Sequence, residues 1–216
     1  MPEAGASGPT GHLAAFAARL PLILEVPFRT VLEGLPSPLL SAGGRELGEL
    51  LGVAGLEGCG ALPRAWSRIH GQRHFRMVCV LAVRIAVDEG WPVSEPDRLP
   101  DLWCLWTAGC LHDLGRIDDG LDPGHAERGA RVAERYLPQE GVPPERVALV
   151  ARLIRSHGAS DEGLGALDRI FKDADGLDRF RPAVGGCSLK LLRTEAARAL
   201  HPRIRALYLG PVTDTG

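Results

Sequence analysis

Residues 101–116 read DLWCLWTAGCLHDLGR. This stretch is expected to be a helix from about Asp101 to Leu114, with Gly115 as its C-cap. Leu105, Ala108 and His112 share one face, and Asp113 lies one residue around. A His-Asp doublet following an apolar run is informative, because His and Asp rarely occupy buried positions without a partner. Adjacent helical side chains diverge. Both can therefore serve one ion only from a helix end, which Gly115 supplies, or by reaching two neighbouring ions.

The same pattern repeats on either side. A helix is expected from about Ala65 to Glu89, ending before Gly90-Trp91-Pro92, with His70, His74, Val78 and Leu81 along one stripe. A third helix begins near His125 and ends before Pro138, aligning His125, Gly129, Val132 and Tyr136. A fourth runs from Pro144, suited to a first turn, to His157-Gly158, with Val150, Leu153 and His157 on one face. The fifth covers about Ala166 to Arg181, ending before Pro182, and aligns Leu167, Phe171 and Asp175. A last amphipathic segment, Leu191 to Leu209, is cut by Pro202. Alternating β-patterns and Asn-Gly turns are missing from this region, so the fold class is all-α. A lone His on an apolar stripe is usually a hydrogen-bonded core residue. Five helices that each turn a His or Asp inward match the way bundles build metal sites.

Composition narrows the function classes. The chain has 216 residues, 45% hydrophobic and 24% charged, with a formal charge of -2, which is ordinary globular composition. No basic footprint for nucleic acid is present, so nucleic acid is not expected as a partner. Leu13 to Phe28 is interrupted by Arg19, Pro21, Glu25 and Pro27 and is no membrane span, and no signal peptide is evident. Five cysteines, Cys59, Cys79, Cys104, Cys110 and Cys187, contain no CxxC pair and read as buried thiols of a cytoplasmic protein. Residues 1–12 are expected to be a disordered lead-in and 13–62 a short helical extension. Residues 63–216 form the helical core with its C-terminal helices.

Together these residues resemble the HD superfamily of metal-dependent phosphohydrolases over roughly Ser67 to Arg181. His70-Gly71-Gln72-Arg73-His74 is similar to the family's HGxxH segment. Ala108 to Arg116 is similar to its apolar run into HDxG[KR], and Lys172 to Arg179 to its DADxLDR segment. The resemblance implies an HD-domain helical bundle with His74, His112, Asp113 and Asp175 as metal ligands. His70 is left as a supporting or core residue, and Asp173 is the alternative to Asp175. Many members carry Arg where Met77 stands. Members with two ions add two His residues between the doublet and the last Asp. His125, in an H-x-x-x-G-A context, and His157 match them, and Asp113 then bridges. The plainer reading is that His125 caps its helix and His157 sits at a helix C-terminus for the dipole. One or two ions are therefore open. His-rich ligation favours Mn, Fe, Co, Ni or Zn over Mg.

The implied activity is hydrolysis of a phosphate ester or anhydride of a nucleotide or small phosphorylated metabolite by metal-activated hydroxide. Asp113 would orient the nucleophile or accept its proton, and Arg116 would stand beside the phosphate. Lys172 and Arg179 would hold substrate oxygens, or else be helix-face charges paired with Asp168, Asp173 or Asp178. The acidic segment Ile117 to Gly124 is expected at the mouth of the site. No GxxxxGK[ST] motif is present. The same six ligands also occur in HD-type di-iron oxygenases that cleave C–C or C–P bonds, and a non-catalytic HD sensor is a third reading. A homo-oligomer is compatible with the sequence.

Overall fold

The computed structural model describes residues 69–91, 99–180 and 184–210. The expected lead-in over 1–12, the extension over 13–62, the start of the first helix at Ala65 and the end of the fifth at Arg181 lie outside the described residues. Among the described residues six α-helices follow one another: α1 (Gln72–Asp88), α2 (Leu99–Leu111), α3 (His125–Tyr136), α4 (Pro144–His157), α5 (Ala166–Leu177) and α6 (Glu195–Leu209). Short 3-10 turns occupy Leu137–Glu140, Asp178–Phe180 and Leu189–Leu191, and no strand occurs among the described residues. The fold is all-α.

Helix α1 packs on α2 and α5, while α4 packs on α2, α3 and α5. The core between them is built from Met77, Leu81 and Ile85, from Leu102, Trp103 and Leu105, and from Phe171 and Leu177. Burying each Leu, Met or Phe contributes about 1.5–3 kcal/mol of hydrophobic free energy. Met77 is fully buried in this core, which explains an apolar side chain at that position. Cys79, Cys104 and Cys110 are buried free thiols, as expected, whereas Cys187 is only half-buried and Cys59 lies outside the described residues; burial pushes the Cys104 thiol up to about 12. No helix among the described residues is long and apolar enough to cross a membrane.

Several boundaries differ from the sequence expectation. Helix α1 starts at Gln72, because Gly71 takes an extended conformation as N-cap, so His70 precedes the helix rather than continuing its stripe. Helix α2 ends at Leu111, and His112 to Gly115 form a tight turn with Leu114 N–H on the Leu111 carbonyl at 3.1 Å. Gly115 is thus no C-cap. Helix α5 stops at Leu177 and continues as a 3-10 turn. The last helix begins at Glu195, where Thr194 caps it by accepting from Ala197 N–H. It runs unbroken through Pro202, an exposed position where the missing N–H is the main loss.

Gly115 has a packing role instead. A Cβ there would lie 2.3 Å from the Gly129 nitrogen, and one on Gly129 would lie 2.6 Å from the His112 carbonyl oxygen. The pair lets the doublet turn rest directly on the backbone of α3, which begins at His125. Gly129→Ala must therefore push α3 away. The expected result is a loss of about 1–3 kcal/mol in denaturant unfolding. Weaker metal retention should accompany it, and unchanged stability and retention would contradict this packing argument.

Candidate metal centre

Every helix from α1 to α5 directs one end at a common point. His74 is in the first turn of α1, His112 and Asp113 follow the end of α2, and His125 opens α3. His157 is the last residue of α4, and Asp175 lies in the last turn of α5. His74, His112 and Asp113 are buried, and Asp175 keeps 15% of its side chain exposed. The structure brings all six together.

Hydrogen bonds on the far side of each ring fix its tautomer. Nδ1 of His112 donates to the Gly109 carbonyl at 2.8 Å, and Nδ1 of His157 to the Ile154 carbonyl at 2.5 Å. Nδ1 of His125 donates to the Asp122 carbonyl, and Nδ1 of His74 to Asp178 Oδ2 at 2.6 Å. These oxygens only accept, so in each neutral ring the proton sits on Nδ1 and Nε2 keeps a bare lone pair. The bare nitrogens nonetheless face one another, His74 to His112 at 3.0 Å and His125 to His157 at 2.8 Å. Two lone pairs at such distances repel unless a cation lies between them.

Carboxylate oxygens complete each pair. His74 Nε2 lies 3.3 Å from Asp113 Oδ2 and 3.5 Å from Asp175 Oδ1. His112 Nε2 lies 3.6 Å and 4.0 Å from the same two atoms. The other oxygen of Asp113, Oδ1, lies 3.6 Å from His125 Nε2 and 3.8 Å from His157 Nε2. Ligand bonds of about 2.0–2.2 Å give ligand–ligand separations of about 3–3.6 Å, close to these values. The donor set therefore fits divalent transition metal. Groups including His74, His112 and Asp175, or His112, Asp113 and His157, could hold an ion.

Electrostatics agree with this. Burial, with His74 and His157 close by, lowers His112 to about 3, so the ring is neutral and its nitrogen available. Burial works to raise Asp113 and Asp175, but the surrounding imidazoles outweigh it and hold both well below the usual carboxylate range. Burial also lowers His125.

Supporting contacts were less legible in the sequence. His70 Nδ1 donates to Asp113 Oδ2 at 2.6 Å, and Arg116 Nε to Asp113 Oδ1 at 2.9 Å, so both oxygens are oriented. Asp178 accepts from His74 on one oxygen and from the Tyr208 hydroxyl of α6 on the other. Asp178 stands in the quoted DADGLDR segment, but nothing local marks its partner on α1, and Tyr208 carried no signal. Such contacts typically change metal affinity 10- to 100-fold. His70→Ala is expected to weaken metal binding by about that factor in a chelator competition titration, with the fold retained. Unchanged affinity would remove His70 from the centre.

The basic residues behave differently from one another. Lys172 is buried, and its three donors go to the Ser156 and Ala159 carbonyls and to Asp161 Oδ1. It ties α5 to the 158–161 loop. None of the pairings expected with Asp168, Asp173 or Asp178 forms: Asp168 pairs with Arg152, Asp173 with Arg193 and Asp178 with His74. Arg179 reaches Asp175 Oδ2 at 4.0 Å and is 52% exposed. Arg116, Lys172 and Arg179 all line a cavity of about 560 Å³ beside His125, His157 and Asp175. Residues 120–123 form part of its wall, so the 117–124 loop does stand at the mouth. Asp122 within that loop is buried and paired with Arg128 at 2.5 Å, which offsets one of its charges.

Residues 71–179 match the HD domain family. The chain belongs to it. The matched span opens just before α1 and closes just after Asp178, so it contains all six HD-centre residues. An HD domain points to a metal-dependent phosphohydrolase. A 55-residue stretch is 38% identical to the bifunctional uridylyltransferase/uridylyl-removing enzyme of Bordetella avium (strain 197N). That stretch covers 26% of this chain and 6% of that enzyme. No solved structure matches.

Proposed function

We propose that this HD protein is a metal-dependent phosphohydrolase acting on a nucleotide or a similar small phosphate ester. One observation carries the reading. Four imidazoles present bare nitrogens in two facing pairs, and Asp113 offers a different oxygen to each pair. That arrangement suits two divalent ions with Asp113 between them. His74, His112, Asp113 and Asp175 would hold the first, and Asp113, His125 and His157 the second. Bound ions supply charge neutralisation for a phosphoryl group and acidify a water nucleophile.

The chain's own residues do the rest. Asp113 accepts a proton from water or orients it, and His70 and Arg116 keep the carboxylate from rotating. Arg179, at the cavity side of Asp175, takes a phosphate oxygen. Lys172 is assigned to the scaffold, because its donors are committed. Hydrolysis forms a bond from the water oxygen to phosphorus and breaks the bond to the leaving oxygen, which takes up the proton. The name of the partial relative, a uridylyl-removing enzyme, is consistent with a nucleotidyl phosphoester as substrate.

Elemental analysis of the purified protein, paired with a screen of nucleotides and phosphodiesters for phosphate or alcohol release, tests this. Metal-dependent release at up to two ions per chain is the expected result. Two irons with an absorbance change on exposure to O₂, and no hydrolysis, would replace it with the oxygenase reading. Metal or nucleotide binding without turnover of any kind would replace it with a sensor.

A further inference from the structure

The cavity beside the centre has a lopsided inventory. Among the described residues four cations line it, Arg116, Lys172, Arg179 and Arg193, against the carboxylates of Asp122 and Asp175. Three of the cations are engaged. Lys172 serves Ser156, Ala159 and Asp161, and Arg193 serves Asp173, the Leu191 carbonyl and Asp161. Arg116 serves Asp113 and the Gly120 carbonyl. Arg179 alone among these four combines a half-exposed side chain with no side-chain hydrogen bond and no ion pair shorter than its 4.0 Å approach to Asp175. The adjoining loop adds Asp118 and Asp119, both exposed. One phosphate can therefore be met by the centre and Arg179, whereas the further charges of a polyphosphate would meet engaged cations and carboxylates.

The remaining wall is aliphatic. Leu121 and Pro123 come from the mouth loop, and Cys187, Leu191 and Leu192 from the segment before α6. Leu121 is 96% exposed and Leu191 58% exposed. A single exposed leucine is ordinary, but two from separate segments lining one reactive cavity are placed to cover an apolar group. Among the described lining residues there is no Phe, Tyr or Trp.

We infer that the cavity selects a substrate with a single phosphate on an apolar body, which Leu121 and Leu191 contact while Arg179 holds the phosphate. The inference rests on the phosphohydrolase reading for its reaction, but its selectivity can be measured by binding as well.

The full-length chain, with Mn(II) in excess, is given phenyl phosphate, glycerol phosphate, AMP and ATP. The expected kcat/KM is about tenfold or more higher for phenyl over glycerol phosphate, the size expected from burying part of a ring, and higher for AMP than for ATP because the extra phosphates meet carboxylates and engaged cations. The double variant Leu121→Ser/Leu191→Ser should collapse the phenyl preference to within about threefold, through KM. Arg179→Ala should raise KM for every phosphomonoester. Independently, phenyl phosphate should slow iodoacetamide alkylation of Cys187, mapped by mass spectrometry, more than glycerol phosphate does. Hydrolysis in which ATP equals AMP, or a phenyl preference that survives the double variant, overturns the inference and leaves the hydrolase reading standing. Selective protection of Cys187 without hydrolysis of any ester supports the inference and overturns the hydrolase reading. Neither protection nor hydrolysis overturns both.

Discussion

Asp113→Ala protein is expected to purify without stoichiometric metal and to lose activity by about 10³-fold or more, since the carboxylate would serve both ions and the nucleophile. Among the described residues Asp113 is the one side chain whose two oxygens face both imidazole pairs, at 3.3 Å and 3.6 Å from His74 and His125 respectively. Removing it leaves His70 Nδ1 and Arg116 Nε without the acceptor they share. Asp113→Asn separates charge from shape. It keeps one acceptor oxygen, enough for either His70 or Arg116 but not both, and loses the anionic bridge, so metal should still be lost while the metal-free protein is destabilised less than by Asp113→Ala. Stoichiometric metal in both variants would sink the proposed centre.

The second large effect concerns Asp173, the alternative that sequence left beside Asp175. Asp173 is fully buried, and its oxygens accept from Arg193 N–H at 3.0 and 2.8 Å, Arg193 Nη1 at 3.0 Å, and Thr194 N–H and Oγ1 at 2.7 and 2.8 Å. It fastens α5 to the start of α6. Asp173→Ala would leave these donors buried and unmatched, a loss of about 3–5 kcal/mol. For a chain of this size the melting temperature should drop by roughly 10 °C. Below the transition, metal content should stay at the wild-type value. Asp175→Ala should do the reverse, losing metal with a small change in stability. A stable, metal-free Asp173→Ala protein would exchange the two assignments.

The helices were legible because periodic apolar residues and Gly or Pro punctuation are local signals. The starts of α4 at Pro144 and α5 at Ala166 fall where Pro144 and the Gly-rich turn before Ala166 place them. The boundaries that shifted were decided by neighbours. Helix α2 stops early because the Gly115–Gly129 contact needs a turn there rather than another helical residue. Helix α6 passes through Pro202 because that position faces solvent. The candidate ligands were legible for a related reason: His and Asp on apolar stripes stand out against a core that excludes them. The committed state of Lys172 was not, since its acceptors are backbone carbonyls 13 and 16 residues away.

By itself, the sequence determined that this protein is all-helical and that His and Asp residues lie on the apolar faces of its helices. Those facts follow from side-chain periodicity and residue chemistry within each segment. Tertiary structure alone decided that Nδ1 hydrogen bonds leave the Nε2 lone pairs of His74, His112, His125 and His157 facing one another. It also decided that Asp113 divides its oxygens between them, and that Asp173 is a clamp. Three of the Nδ1 bonds reach a carbonyl only three residues back, but the His74–Asp178 bond spans 104 residues, and the facing Nε2 pairs join residues 38 and 32 apart, which no local pattern encodes.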